Sequence, residues 1–171
     1  MRMYRVALIC IALCTGLPKT QAQEKTTSVT VTGAEASPVV FTWADIQKLP
    51  PVQIGPVVIT NHLGERKKEL RQVEGVRLTD LLATVTITAE NPRVLSEYYF
   101  VFIATDDYRV VFSWNELFNH PAGQRVFLVT AYDGKRHEAI EDGLLLLVPD
   151  DQRTGRRHIK SLNRIEIKRA R

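Results

Sequence analysis

Arg153, Arg156, Arg157, His158 and Lys160 crowd one short stretch of the chain. Guanidinium and ammonium groups at this spacing can hold oxyanions such as phosphate or carboxylate. The same residues also suit a solvated sheet edge, where basic side chains discourage pairing with other sheets. Both readings stand on the sequence. From 153 to the end, eight basic residues face a single acid, Glu166. Tyr108 can stack on or hydrogen-bond a planar ligand, or fill a half-buried turn. Asp106, Asp107 and Glu116 do not form an acid–base pair, because adjacent carboxylates on a turn point apart. His62, His120, His137 and His158 show no H-x-H or H-x-x-x-H spacing for zinc. No G-x-S-x-G elbow surrounds a serine, and no glycine-rich phosphate loop occurs.

The chain of 171 residues, 44% hydrophobic and 25% charged, is long enough for one domain with a core. Residues 1–22 read as a secretory signal peptide. Arg2 and Arg5 precede an apolar run over 6–13, Pro18 breaks it, and Thr20-Gln21-Ala22 offers small residues for cleavage. The alternatives are an uncleaved anchor and, with Cys14 closing the apolar run, a lipoprotein. Cleavage makes the protein secreted or periplasmic, with no membrane span in the mature chain 23–171. It removes Arg2, Arg5 and Lys19, so 20 basic residues then face 19 acidic ones. The formal +4 is therefore mostly targeting charge and gives no argument for nucleic acid. Cys10 and Cys14, the only cysteines, leave with it. Disulfides, thiol nucleophiles and thiolate-held metals then leave the set of expectations.

Elements that would position the basic stretch follow from alternation and turn chemistry. Strands are expected at 28–32, 39–41, 52–60 and 67–73. Others follow at 98–104, 109–112, 126–132, 144–148 and 165–168. The run at 98–104 is nearly all apolar, as in a strand buried on both faces. Short helices are expected at 43–48 behind Thr42, at 80–83 behind Thr79, and at 114–118 behind Ser113 with Glu116 near its third position. Residues 121–123 and 150–155 read as loops, and Asp133-Gly134 as a hairpin turn. Many short strands with few short helices make an α+β single domain of mixed sheets.

Several segments carry a family resemblance. Phe41-Thr42-Trp43 leads to Leu49-Pro50. Glu74-Gly75-Val76-Arg77-Leu78-Thr79-Asp80-Leu81-Leu82 enters a helix. Thr105-Asp106-Asp107-Tyr108 makes a turn, with Asp107 where glycine is usual. Tyr132-Asp133-Gly134, the strand from Gly143 to Pro149 and Arg157-His158-Ile159-Lys160-Ser161-Leu162-Asn163-Arg164-Ile165 follow, with Ser161 in place of a tryptophan. In this order they resemble the molybdopterin-binding domain of the sulfite-oxidase-like oxidoreductases. The resemblance implies that family's fold. It also implies cofactor-binding roles for Lys160, which matches a position near the pterin, for its neighbours Arg157 and His158, and for Tyr108.

Catalytic members hold molybdenum through a cysteine that falls near Ile59, Thr60 or Asn61, and no cysteine stands there. Hydroxyl and amide are poor substitutes for a soft thiolate. The segment that frames substrate in longer members is also missing, as is a dimerisation domain. The expectation is an exported, non-catalytic homologue that binds a small anionic or pterin-like ligand, or an envelope protein partner. No catalytic or metal-ligating residue is assigned, and molybdopterin is a cofactor by resemblance alone. The alternative is a molybdenum-cofactor-dependent oxidoreductase with a non-cysteine metal ligand and a separate electron-transfer partner.

Overall fold

The structure is a computed structural model that describes residues 25–33, 36–136 and 139–170. The signal-peptide reading of 1–22 lies outside them. Alternating valines build β1 (Ser28–Gly33), which pairs antiparallel with β2 (Ala36–Thr42). Thr42 then caps α1 (Trp43–Ile46), its hydroxyl accepting from the Asp45 N–H while the Asp45 carboxylate accepts from the Thr42 N–H. β3 (Pro51–Thr60) and β4 (Arg66–Arg77) form a long hairpin. β4 outruns the expected arm because its second half pairs with β7.

Helix α2 (Leu78–Leu82) starts two residues earlier than Thr79 capping requires. The Leu78 N–H donates to the carbonyl of Val126, so the incoming strand satisfies the helix entrance and no side-chain cap forms. Thr79 is instead buried inside the helix. A 3-10 turn, Pro92–Glu97, leads into β5 (Tyr98–Ala104), which is buried along most of its length, and β6 (Arg109–Ser113) returns beside it. Ser113 caps α3 (Trp114–Phe118) as expected. The expected loop at 121–123 is a 3-10 turn, Pro121–Arg125, because Pro121 presets its first φ and His120 caps it.

β7 (Phe127–Tyr132) turns at Asp133-Gly134 into β8 (Lys135–Arg136), with φ of 50° and 73° at the two turn residues. β9 (Leu145–Leu147) also lies along β7. A 3-10 turn, Thr154–Arg157, closes the polar loop, and β10 (Leu162–Arg169) ends the fold, longer than its alternation predicts.

Two five-stranded sheets result among the described residues. One runs β2-β1-β10-β5-β6, with β1 and β10 parallel, and the other runs β3-β4-β7-β8 with β9 beside β7. Leu146 and Ile159 exchange backbone hydrogen bonds, and the Leu162 N–H donates to Leu144, so the segment before β10 ties the sheets together. Phe100, Phe102, Phe112, Leu128 and Leu146 fill the larger core, and Trp43 joins them. Val57, Ile59, Leu70 and Tyr132 fill a second core under the hairpin. This is the α+β single domain that the sequence implies. Among the described residues no helix is long and apolar enough to cross a membrane.

The β5–β6 turn carries one strained residue where the resembling family has glycine. Asp107 sits at φ 64°, a region that costs most side chains energy and glycine little. Asp107→Gly is expected to raise stability by about 0.5 kcal/mol in denaturant unfolding. The exposed Asp107–Arg109 pair it removes, at 3.6 Å, contributes little.

Candidate functional site

The end of β3, the β5–β6 turn and the segment 155–160 enclose a hollow of about 390 Å³. Its walls are Asn61, His62, Ala104, Asp106, Tyr108, Gly155, His158 and Lys160. Thr154 staples these elements together. Its hydroxyl donates to the Val58 carbonyl at 2.7 Å and accepts from the Thr60 N–H at 3.0 Å. Tyr108 fastens the opposite wall, its hydroxyl donating to the Arg156 carbonyl at 2.6 Å. The Asp106 carboxylate accepts from the Tyr108 N–H and sets the turn that presents the ring.

Lys160 reaches the Asp142 carboxylate at 2.7 Å, and the Tyr132 hydroxyl donates to the same carboxylate at 3.1 Å. Lys68 stands 3.6 Å from Asp142 on the far side. Burial pushes the Asp142 carboxyl up, but the Lys160 hydrogen bond and the two ammonium charges outweigh it and leave it below its ordinary value. Tyr132 is pushed up by burial and by the Asp142 charge, so its hydroxyl stays protonated and donating.

His158 lies beside this network. Burial and the charges of Lys68 and Lys160 push its pKa down to about 4, opposed only by Asp142. The imidazole is therefore neutral at pH 7, and its Nε2 is buried with no hydrogen-bond partner among the described residues. A neutral imidazole nitrogen donates or accepts according to its tautomer.

The pKa shift has a measurable sign. The folded state binds its proton less readily than the unfolded chain, whose imidazole titrates near 6.5. Neutral His158 thus contributes stability that is complete above about pH 6.5 and falls as the pH drops toward 4. Chemical unfolding at pH 7.5 and pH 5 is expected to show a larger loss for the wild type than for His158→Gln. Equal losses in both proteins contradict the shift.

Three of the four residues singled out from the sequence, Tyr108, His158 and Lys160, line one hollow. Arg157 does not. Its guanidinium turns away to a two-point contact with Asp151 and a bond to Glu116, and lies 4.7 Å from the Phe112 ring centre. The Asp151 hydrogen bonds, with Glu116 behind them, hold it firmly protonated. It braces the loop against α3 and β6. Sequence reasoning missed His62, Gly155 and the counter-ion Asp142. Each is brought in by long-range packing.

A larger, open depression of about 830 Å³ lies between Arg66, Lys68, Glu69, Arg71, Gln72 and Asp133. Its lining is mostly exposed and charged, whereas the smaller hollow brings together a neutral imidazole, an ammonium and an aromatic ring, and is therefore the better candidate site.

No protein-family model matches the chain, and no curated protein matches it. Among solved structures it is similar to the sulfane dehydrogenase SoxCD from Paracoccus pantotrophus, at 16% identity with a TM-score of 0.61. The match covers 82% of this chain and spans 37% of that one. At this identity the likeness shows the fold, a distant sulfite-oxidase-like one.

That fold family implies a molybdenum cofactor, and the residues here do not fit its metal. Ile59 is packed in the second core. Thr60 offers a buried hydroxyl. The Asn61 amide is spent on its own turn, accepting from the Leu63 and Glu65 N–H groups and donating to the Glu65 carboxylate. None of these is a soft ligand for molybdenum. Among the described residues no group of three or more His, Cys, Asp or Glu is placed to hold a metal ion.

Proposed function

We propose that this chain is an exported binding module, built on a sulfite-oxidase-like fold, whose hollow takes a small anionic, planar, pterin-like ligand without metal chemistry. The observation that carries the reading is a single hollow lined by the neutral imidazole of His158, the Lys160 ammonium and Tyr108. A neutral imidazole and an ammonium lining the same hollow offer a ligand hydrogen bonding and positive charge together. Lys160 supplies positive charge, tempered by Asp142. Tyr108, tied at its hydroxyl, presents a ring face whose position is already fixed. Preorganised walls of this kind reduce the ordering cost of binding. At about 390 Å³ the hollow fits a ligand of one or two fused rings.

Fluorescence titration with pterin-6-carboxylate tests the reading. Saturable binding is expected, weakened about tenfold or more by His158→Ala and by Lys160→Gln, the scale of one charge-assisted hydrogen bond. Absence of saturable binding, or variants that bind like the wild type, overturns it.

A further inference from the structure

Most arginines of the described residues sit within ion-pairing distance of a carboxylate. Arg66, Arg71, Arg77, Arg109, Arg125 and Arg136 do so, as do those from Arg157 onward. Arg153 and Arg156 do not. Both instead donate to one carbonyl oxygen, that of His62, at 3.0 Å and 3.2 Å. Two guanidinium groups thus converge on a single neutral acceptor, with no carboxylate of the described residues within 4 Å of either. Glu65, the nearest acid along that turn, is engaged by Asn61 and Lys67.

Like charges held this close repel one another, and an anion that bridges them relieves both. One hydrogen bond leaves each guanidinium with further N–H donors, arranged in a planar fork that matches oxyanion geometry. The convergence is also fixed from several directions. The Asn61 side chain holds the turn that presents the His62 carbonyl. Gly64, at a φ of 94° that favours glycine, lets the turn close in packing contact with the Arg153 side chain. Thr154 and the Tyr108 hydroxyl anchor the backbone between the two arginines.

We infer that Arg153 and Arg156 form an oxyanion clamp on the rim of the hollow, selective for a phosphate- or sulfate-class group. The clamp stands on its own residues and goes beyond the ligand proposed for His158 and Lys160.

Isothermal titration of the purified chain with inorganic phosphate, and separately with sulfate, at low ionic strength tests it. The expected result is saturable binding to one site that weakens as salt rises. Arg153→Gln/Arg156→Gln should lower the affinity by about tenfold or more, and each single change by a smaller factor. Arg93→Gln, which removes another arginine without a carboxylate, should leave it within about twofold. All replaced arginines are exposed, so folding is retained, and melting curves check this. No saturable binding of either ion, or equal binding by the double variant, overturns the clamp. Loss through His158→Gln alone also overturns it, because the anion then sits in the hollow. Binding of pterin-6-carboxylate without phosphate removes the clamp and leaves the hollow reading standing. Phosphate binding without the pterin does the reverse.

Discussion

Arg157→Ala is expected to cost roughly 2–3 kcal/mol of stability, about 5–10 °C in melting temperature. The side chain is 26% exposed, and its partners Asp151 and Glu116 are 17% and 36% exposed. Truncation leaves two carboxylates facing a vacated site beside Phe112, and their partial exposure keeps the loss below that of a fully buried pair. Arg157→Lys should recover only part of the loss, since an ammonium cannot span both carboxylates and stack on the ring. Thermal unfolding measures both. An alanine variant that melts like the wild type would show that Arg157 is a solvated surface charge and not a brace.

Gly155→Ala is expected to cost about 2–4 kcal/mol and to disable the hollow. An added Cβ at this position would meet the Thr60 carbonyl oxygen at 1.8 Å. That neighbour is backbone and is held by Thr154, so the 3-10 turn and the end of β3 must move apart. The movement separates Asn61 and His62 from His158 and Lys160, which otherwise share one wall. Denaturant unfolding reads the stability, and pterin-6-carboxylate titration reads the hollow. A variant that keeps both would show that the close contact at Gly155 does not hold the site together.

The strands were legible where pattern and turn chemistry agreed. β1 alternates, β5 is a continuous apolar run, and Asp133-Gly134 makes the β7–β8 turn. Caps at Thr42 and Ser113 were readable because the hydroxyl and its target lie three residues apart. Thr79 misled for a tertiary reason. The helix entrance is satisfied by Val126, remote in sequence, and no local signal reports that. The site divided in the same way. Lys160, His158 and Tyr108 were visible as residue types in a family-like order. The role of Arg157 was not, because Asp151, Glu116 and Phe112 converge on it through the fold. Asp142 stayed hidden because nothing in the sequence around it marks it as the counter-ion of Lys160.

Molybdenum and released-pterin content measured on this chain, purified after expression in a host that makes the molybdenum cofactor, tests the central claim most directly. The donor set at Ile59, Thr60 and Asn61 predicts protein without stoichiometric molybdenum, with or without a bound pterin. Near-stoichiometric molybdenum that remains through purification would contradict it and assign the chain metal chemistry through a ligand other than cysteine.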